Sequence, residues 1–421
     1  MMLQIGSLGA MLAQAIGGVI LARILGPQEY GRFAIVMSMA AVGSVFLGAG
    51  AADALAPMLT RAYHREDDGE VRRVFLFLGG FVISAALFSS ALGLTMPLIA
   101  RHLYGDRMIG WLGFLVLMAS SISTLILVPT QLGLQVAGKI KQLALLTLTD
   151  QFVRQTLVLV LAALGLGIAG AGVGHTVGAI VVLFIAYWFW SRLRRQWGAL
   201  PTVPQMMAHI SHTRDSSLIA PTLWVLADRN IAMLYGAAPI SIAALSLVAS
   251  DVSYFKIALG WVTLALSVIS PISSLLNTEL ARIQVQRPQL LRRRFLQITG
   301  GAIAVTCAVT FGAALMARPM FSLLYGPQYA LAVPLVYNLI PFGALFGLGV
   351  ALGPMWRIMN RVRHSIVINI VVLVVGVPLA LFSMQHWGVI GAIGMVTGWY
   401  AASHAISFWY LLKLLGKMQT P

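Results

Sequence analysis

The chain has 421 residues, of which 59% are hydrophobic and only 10% are charged, and its mean hydropathy is +0.89. Soluble domains carry roughly 25% charged residues, so this composition excludes a string of ordinary globular domains; long apolar runs likewise exclude a disordered or collagen-like chain. The net charge of +16 raises nucleic acid as a partner, but the cations are scattered rather than gathered in one patch.

A transmembrane helix needs about 20 apolar residues. Apolar runs predict twelve spans, at residues 3–24, 32–56, 74–96, 110–132, 143–165, 170–190, 217–237, 242–272, 295–317, 332–354, 365–384 and 388–411. The first 22 residues lack the basic start and small-residue cleavage site of a signal peptide, so they read as the first span. With the N-terminus in the cytoplasm, 20 of the 28 Lys and Arg fall in inward loops. They include Arg61, Arg72, Arg73, Arg192, Arg214, Arg282, Arg287, Arg292, Arg293, Arg294 and Lys413; the outward turns hold five, Arg23, Arg32, Arg101, Arg107 and Arg318. This bias is the positive-inside pattern, and it predicts both termini in the cytoplasm. Topology then accounts for the net charge, and nucleic acid drops out as a partner. The single cysteine, Cys307, excludes an internal disulfide and any multi-thiolate metal site.

The two halves of the chain match. A shift of 221 residues aligns Arg61 with Arg282, Arg72 and Arg73 with Arg293 and Arg294, and Tyr104-Gly105 with Tyr325-Gly326. The same shift aligns Gly167, Gly170 and Ala171 with Gly388, Gly391 and Ala392, and Trp188 with Trp409. An even number of spans per repeat returns the chain to its starting side, so a pseudo-twofold axis would run along the membrane normal. The expected architecture is an all-α polytopic membrane protein of two six-helix bundles, at residues 1–190 and 217–421. Residues 191–216 are read as a solvated cytoplasmic linker. The aromatic runs Tyr187-Trp-Phe-Trp190 and Phe408-Trp-Tyr410 are read as anchors at the inner membrane surface.

The segment Ala22-Arg-Ile-Leu-Gly-Pro-Gln-Glu-Tyr-Gly-Arg-Phe33 resembles the first outward turn of Wzx-type polysaccharide flippases. Leu103-Tyr-Gly-Asp106 and Leu324-Tyr-Gly-Pro-Gln-Tyr-Ala330 resemble later turns of the same family. These flippases belong to the multidrug/oligosaccharidyl-lipid/polysaccharide exporter superfamily. The resemblance implies a bacterial inner-membrane protein that moves undecaprenyl-pyrophosphate-linked sugars to the outer leaflet; the chain is expected to use no cofactor and to work as a monomer.

Three cations fall inside spans: Arg154, Arg229 and Lys256. Acids at comparable depth are Asp53, Asp150, Asp228 and Asp251. A charge at a helix centre costs about 2.5–3.5 kcal/mol on insertion scales, so such residues turn toward a bundle interior or a wet cavity. Arg229, Lys256 and Arg154 are the candidate substrate-binding cations, facing a pyrophosphate in a central cleft. Arg154 has a second reading, as the partner of Asp150 one helical turn away. Asp228, Asp251 and Asp53 are candidates for coupling a proton or sodium ion. With the turn between spans seven and eight centred near Pro239, Arg229 and Asp251 lie at similar depth and can pair. Asp53 reads as about one turn from the inner end of span two, close to water.

No His or acidic cluster has metal-ligand spacing, and no phosphate-binding glycine loop or Ser/His/Asp set appears, so neither a metal, a cofactor nor an enzyme is expected. The main alternative is a multidrug antiporter, whose cleft should be acidic and aromatic rather than mixed with cations. A lipid II flippase would carry fourteen spans, and a membrane glycosyltransferase would need acidic outer loops that this chain lacks.

Overall fold

The computed structural model describes residues 2–47, 49–209 and 216–417. Arg214 and residues 210–215 of the linker therefore lie outside the described residues. The helices in order are α1 (Met2–Ser44), α2 (Ala49–His64), α3 (Asp68–Gly93), α4 (Met96–Tyr104), α5 (Arg107–Val136), α6 (Ile140–Leu161), α7 (Gly167–Gln196) and α8 (Val203–Ala208). They continue with α9 (Ser216–Ala243), α10 (Ala249–Ser267), α11 (Ser270–Gln286), α12 (Leu291–Leu324), α13 (Ala332–Asn338), α14 (Ile340–Gly349), α15 (Leu352–Ile358) and α16 (Val362–Lys417).

Among the described residues, six stretches are long and apolar enough to cross a bilayer, and a bent pair over α13 to α15 makes a seventh. Three of the six, Gly9–His64, Ile140–Gln196 and Val362–Gly416, run for 56, 57 and 55 residues. Each is well over twice the length that one passage needs, because each turns back on a glycine. In α1 the bend is at Gly26 (φ 72°, ψ 172°), a backbone region essentially closed to other residues, and Pro27 follows it. Counting both arms of each bend, with α9 and α10, gives twelve passages in a multi-pass membrane protein.

Gly167 (φ 52°, ψ −136°) and Gly388 (φ 54°, ψ −130°) turn the chain in the same way. They are partners in the 221-residue shift, so the sequence repeat marks one turn built twice. Beyond the first of these turns, α7 lies against the backbone of α6. A methyl on Gly170 would fall 2.5 Å from the Leu161 carbonyl oxygen, and one on Gly174 2.6 Å from that of Leu157. Small residues every fourth position are how helices approach closely within lipid. The repeat also ends alike. Arg192 lies over the Trp188 ring at 5.6 Å, and Lys413, its counterpart, lies over Trp409 at 5.3 Å.

The chain divides into two compact units, Met1–Ala238 and Pro239–Pro421. The boundary falls within α9, one helix past the six-plus-six division of the sequence repeat. The start of α9 belongs with the first unit: Leu218 is buried in its core, and Arg73 on α3 donates to the Ser217 hydroxyl at 3.2 Å.

Two readings from sequence are corrected here. The described residues of the linker, 191–209, are not a wholly solvated strap. Thr202 and Gln205 cap α8 reciprocally, and Met206, 2% exposed, packs over Gly79 of α3. Among the aromatics, Tyr187, Trp188 and Trp409 are exposed as anchors should be, but Phe189 and Trp190 are buried. Trp190 packs edge-on to Phe75 at 5.4 Å. Successive helical residues diverge by about 100°, so a run of four cannot all face lipid.

Candidate functional site

The first charged site joins α2 to α9. Gly50 lets the two helices close: a methyl there would fall 3.2 Å from the Leu226 Cα and 3.4 Å from the Arg229 Cδ. One turn further along α2, Asp53 accepts a hydrogen bond from the Arg229 guanidinium in an ion pair, and both side chains remain about half exposed, 52% and 50%. The pairing of Arg229 with Asp251 that the sequence allowed gives way to this one. α9 continues through Pro239 to Ala243, and Asp251 falls in the first turn of α10, near the chain reversal.

The depth of Asp53 also changes. Span two is broken by a 3₁₀ turn at Val45–Leu47 and resumes as α2, which runs on to His64 with Arg61 and His64 in its last turn. Cations there complement the helix dipole and extend the helix past the apolar window. Asp53 is thus roughly 16 Å from the end of its helix rather than one turn. The second repeat breaks at the matching point, between α10 and α11.

The second site is closed. On α6 the Arg154 Nε donates to Asp150 Oδ1 at 2.5 Å, with side chains only 10% and 13% exposed. Arg154 Nη2 donates to the Ser123 hydroxyl of α5 at 2.8 Å. Ser123 in turn donates to the Ser120 carbonyl at 3.1 Å. Sequence reading found the carboxylate but missed Ser123, whose only signal is the polar run Ser120, Ser121, Ser123 inside an apolar span.

Asp228 is half-buried beside Arg229 on α9, and Lys256 is half-buried on α10 in the second unit. Among the described residues, no group of three or more His, Cys, Asp or Glu could hold a metal ion. A third charged cluster was missed. Arg32 donates to Glu29 at 3.1 Å and to Asp106 at 2.7 Å. It ties together the two turn segments, around Gly26 and around Gly105, that carry the family resemblance.

A family model described as polysaccharide biosynthesis protein matches residues 20–334. The chain belongs to that family. Among curated proteins none matches the sequence. Solved structures share the fold at low identity. An inward-facing multidrug resistance MATE family transporter of the MOP superfamily gives a TM-score of 0.68 at 18% identity, over 97% of this chain and 96% of that one. The lipid II flippase MurJ, in an inward closed conformation, gives 0.70 at 13% identity, over 97% and 87%. A MOP superfamily transporter from Pyrococcus furiosus, described as having a binding pocket of reverse polarity, gives 0.64 at 15%, over 100% and 96%. The resemblance drawn from the turn segments therefore holds for family and for fold.

Proposed function

We propose that this protein is a flippase that moves a polyprenyl-pyrophosphate-linked oligosaccharide from the cytoplasmic to the outer leaflet by alternating access. The observation that carries this reading is the Asp53–Arg229 pair. Two charges half exposed within membrane-spanning segments are costly against hydrocarbon and stable against water, so they belong to a hydrated path. Arginine binds phosphate oxygens through a planar, bidentate fork. An arriving diphosphate can take the place of the Asp53 carboxylate on Arg229. The released carboxylate then has lost its counter-charge and becomes a site for a proton or sodium ion. Lys256 on α10 is kept as a further candidate substrate-binding cation, and Asp228 and Asp251 as further coupling candidates. Arg154, enclosed with Asp150 and Ser123, is assigned to packing of the first unit rather than to substrate.

The protein acts in the bacterial cytoplasmic membrane with both termini inside, a reading that the Lys and Arg distribution supports. It works as a monomer and is a transporter rather than an enzyme. The MATE likeness offers a multidrug cation antiporter as the second reading. For the Pyrococcus furiosus transporter a reverse polarity of the binding pocket is described as suggesting a different function, in line with function residing in the site rather than the fold. An arginine in the path favours an anion.

Lipid analysis of cells lacking the protein tests this directly. Polyprenyl-diphosphate-linked repeat units should accumulate while surface glycan disappears. Wild-type protein should restore export, and Arg229→Ala/Lys256→Ala at equal abundance should not. Unchanged lipid and glycan pools with raised sensitivity to organic cations would transfer the assignment to the antiporter.

A further inference from the structure

The two repeats place the same hairpin, α2–α3 and α11–α12, 221 residues apart, and they treat its charge in opposite ways. In the first, Asp67 caps α3 by accepting the Glu70 backbone N–H at 2.9 Å, and Asp68 and Glu70 occupy the first turn. Arg73 is drawn to Glu70 at 3.1 Å. The cations Arg61, Arg65, Arg72 and Arg73 thus stand among four acids, Glu66, Asp67, Asp68 and Glu70.

In the second hairpin every one of these acids is gone. α12 begins after Leu290 with no side-chain cap and no acid in its first turn. Arg292, Arg293 and Arg294 fill that turn, all exposed, with Arg282 and Arg287 exposed just before them. After Glu279, three residues before Arg282, the sequence holds no further Asp or Glu, so one acid on the hairpin faces five arginines around its turn. Three cations at a helix start also oppose the helix dipole, a local choice that stability alone disfavours.

A topology signal needs positive charge only, and lysine would serve it equally well. All five residues are arginine, whose fork matches phosphate oxygens. Apolar side chains lie among them in the open: Val285 is 83% exposed, and Leu290 and Leu296 are exposed as well. Cationic forks interleaved with exposed apolar groups fit a lipid headgroup and the acyl region behind it. The charge exceeds what one phosphodiester would neutralise, which selects a diphosphate. Because Arg292, Arg293 and Arg294 diverge by about 100° each, they rim the helix end and form an open capture surface rather than a pocket.

We propose that the α11–α12 turn captures the diphosphate of the lipid-linked substrate at the cytoplasmic surface. This rests on the flippase reading and on its orientation. The test uses the full-length protein in phosphatidylcholine nanodiscs with graded undecaprenyl diphosphate, read by native mass spectrometry of bound lipid. Two variants are compared with wild type: Arg292→Gln/Arg293→Gln/Arg294→Gln, and the triple lysine substitution that keeps the charge and the topology signal. The glutamine variant should bind about ten-fold more weakly or worse, and the lysine variant should fall between it and wild type. Excess phosphatidylglycerol should not displace the bound diphosphate lipid. Undiminished binding in both variants would overturn the site and leave the flippase reading standing. Displacement by phosphatidylglycerol mole for mole would reduce the turn to a general anionic-lipid contact. A wild-type protein that binds no diphosphate lipid would overturn both.

Discussion

Replacing Arg154 with Met should cost far more than removing a surface charge. The substitution leaves the Asp150 carboxylate, 13% exposed, without its cation, and Ser123 without its guanidinium donor. Removing one partner of a buried pair typically costs about 3–5 kcal/mol, whereas exchanging both for apolar residues of similar volume is neutral or stabilising. At roughly 2–4 °C per kcal/mol for a unit of this size, Arg154→Met should lower Tm on the order of 10 °C. Asp150→Leu/Arg154→Met should recover most of that loss, so the cost of the double variant falls well short of the sum of the two singles. Tryptophan-fluorescence melts of the purified protein, with both single variants and the double, make the cycle. Single variants that melt with wild type, or a double whose loss is the sum of the singles, would refute a closed packing pair. A double variant that melts normally yet fails in glycan export would return Arg154 to the substrate path.

The bends offer a second test. Gly167→Ala and Gly388→Ala should each lose about 1–3 kcal/mol, because both force a side chain into the same left-handed backbone conformation. Gly260→Ala, with nothing within 4 Å of the added methyl, should melt like wild type; equal loss at all three sites would dismiss the turn argument. In the second unit a methyl on Gly349 would overlap the His404 ring, whose Nδ1 lies 2.7 Å from the Leu345 carbonyl oxygen. Gly349→Ala alone should cost about 1–3 kcal/mol by overpacking. Added to His404→Ala, it should cost almost nothing further, and strictly additive melting shifts would argue against the contact.

Much of this protein is legible in one dimension because lipid imposes a simple rule: each passage must be apolar and of fixed length, and cations gather on one side. The apolar runs give the twelve passages, and the 221-residue shift finds Gly167 and Gly388 as equivalent positions before their dihedral angles are known. The turn segments around Gly26 and Gly105 point to the family. Helix ends are less legible where apolarity and helicity part company. α2 outruns its apolar window because Arg61 and His64 suit a helix C-terminus, and that moves Asp53 by several turns.

Partner choice between different helices is not written in the sequence. Arg229 has Asp228 beside it in the chain and Asp251 across one loop, yet it pairs with Asp53, 176 residues away. That choice depends on Gly50 letting α9 approach α2, a consequence of packing between helices distant in sequence. Arg154 and Asp150, four apart on one helix, were readable as a pair, but their enclosure by Ser123 of α5 was not. Hydrophobic length is a local property and determines the passages; which buried charges meet is set by where one helix face lies against another, and only the tertiary structure decides that.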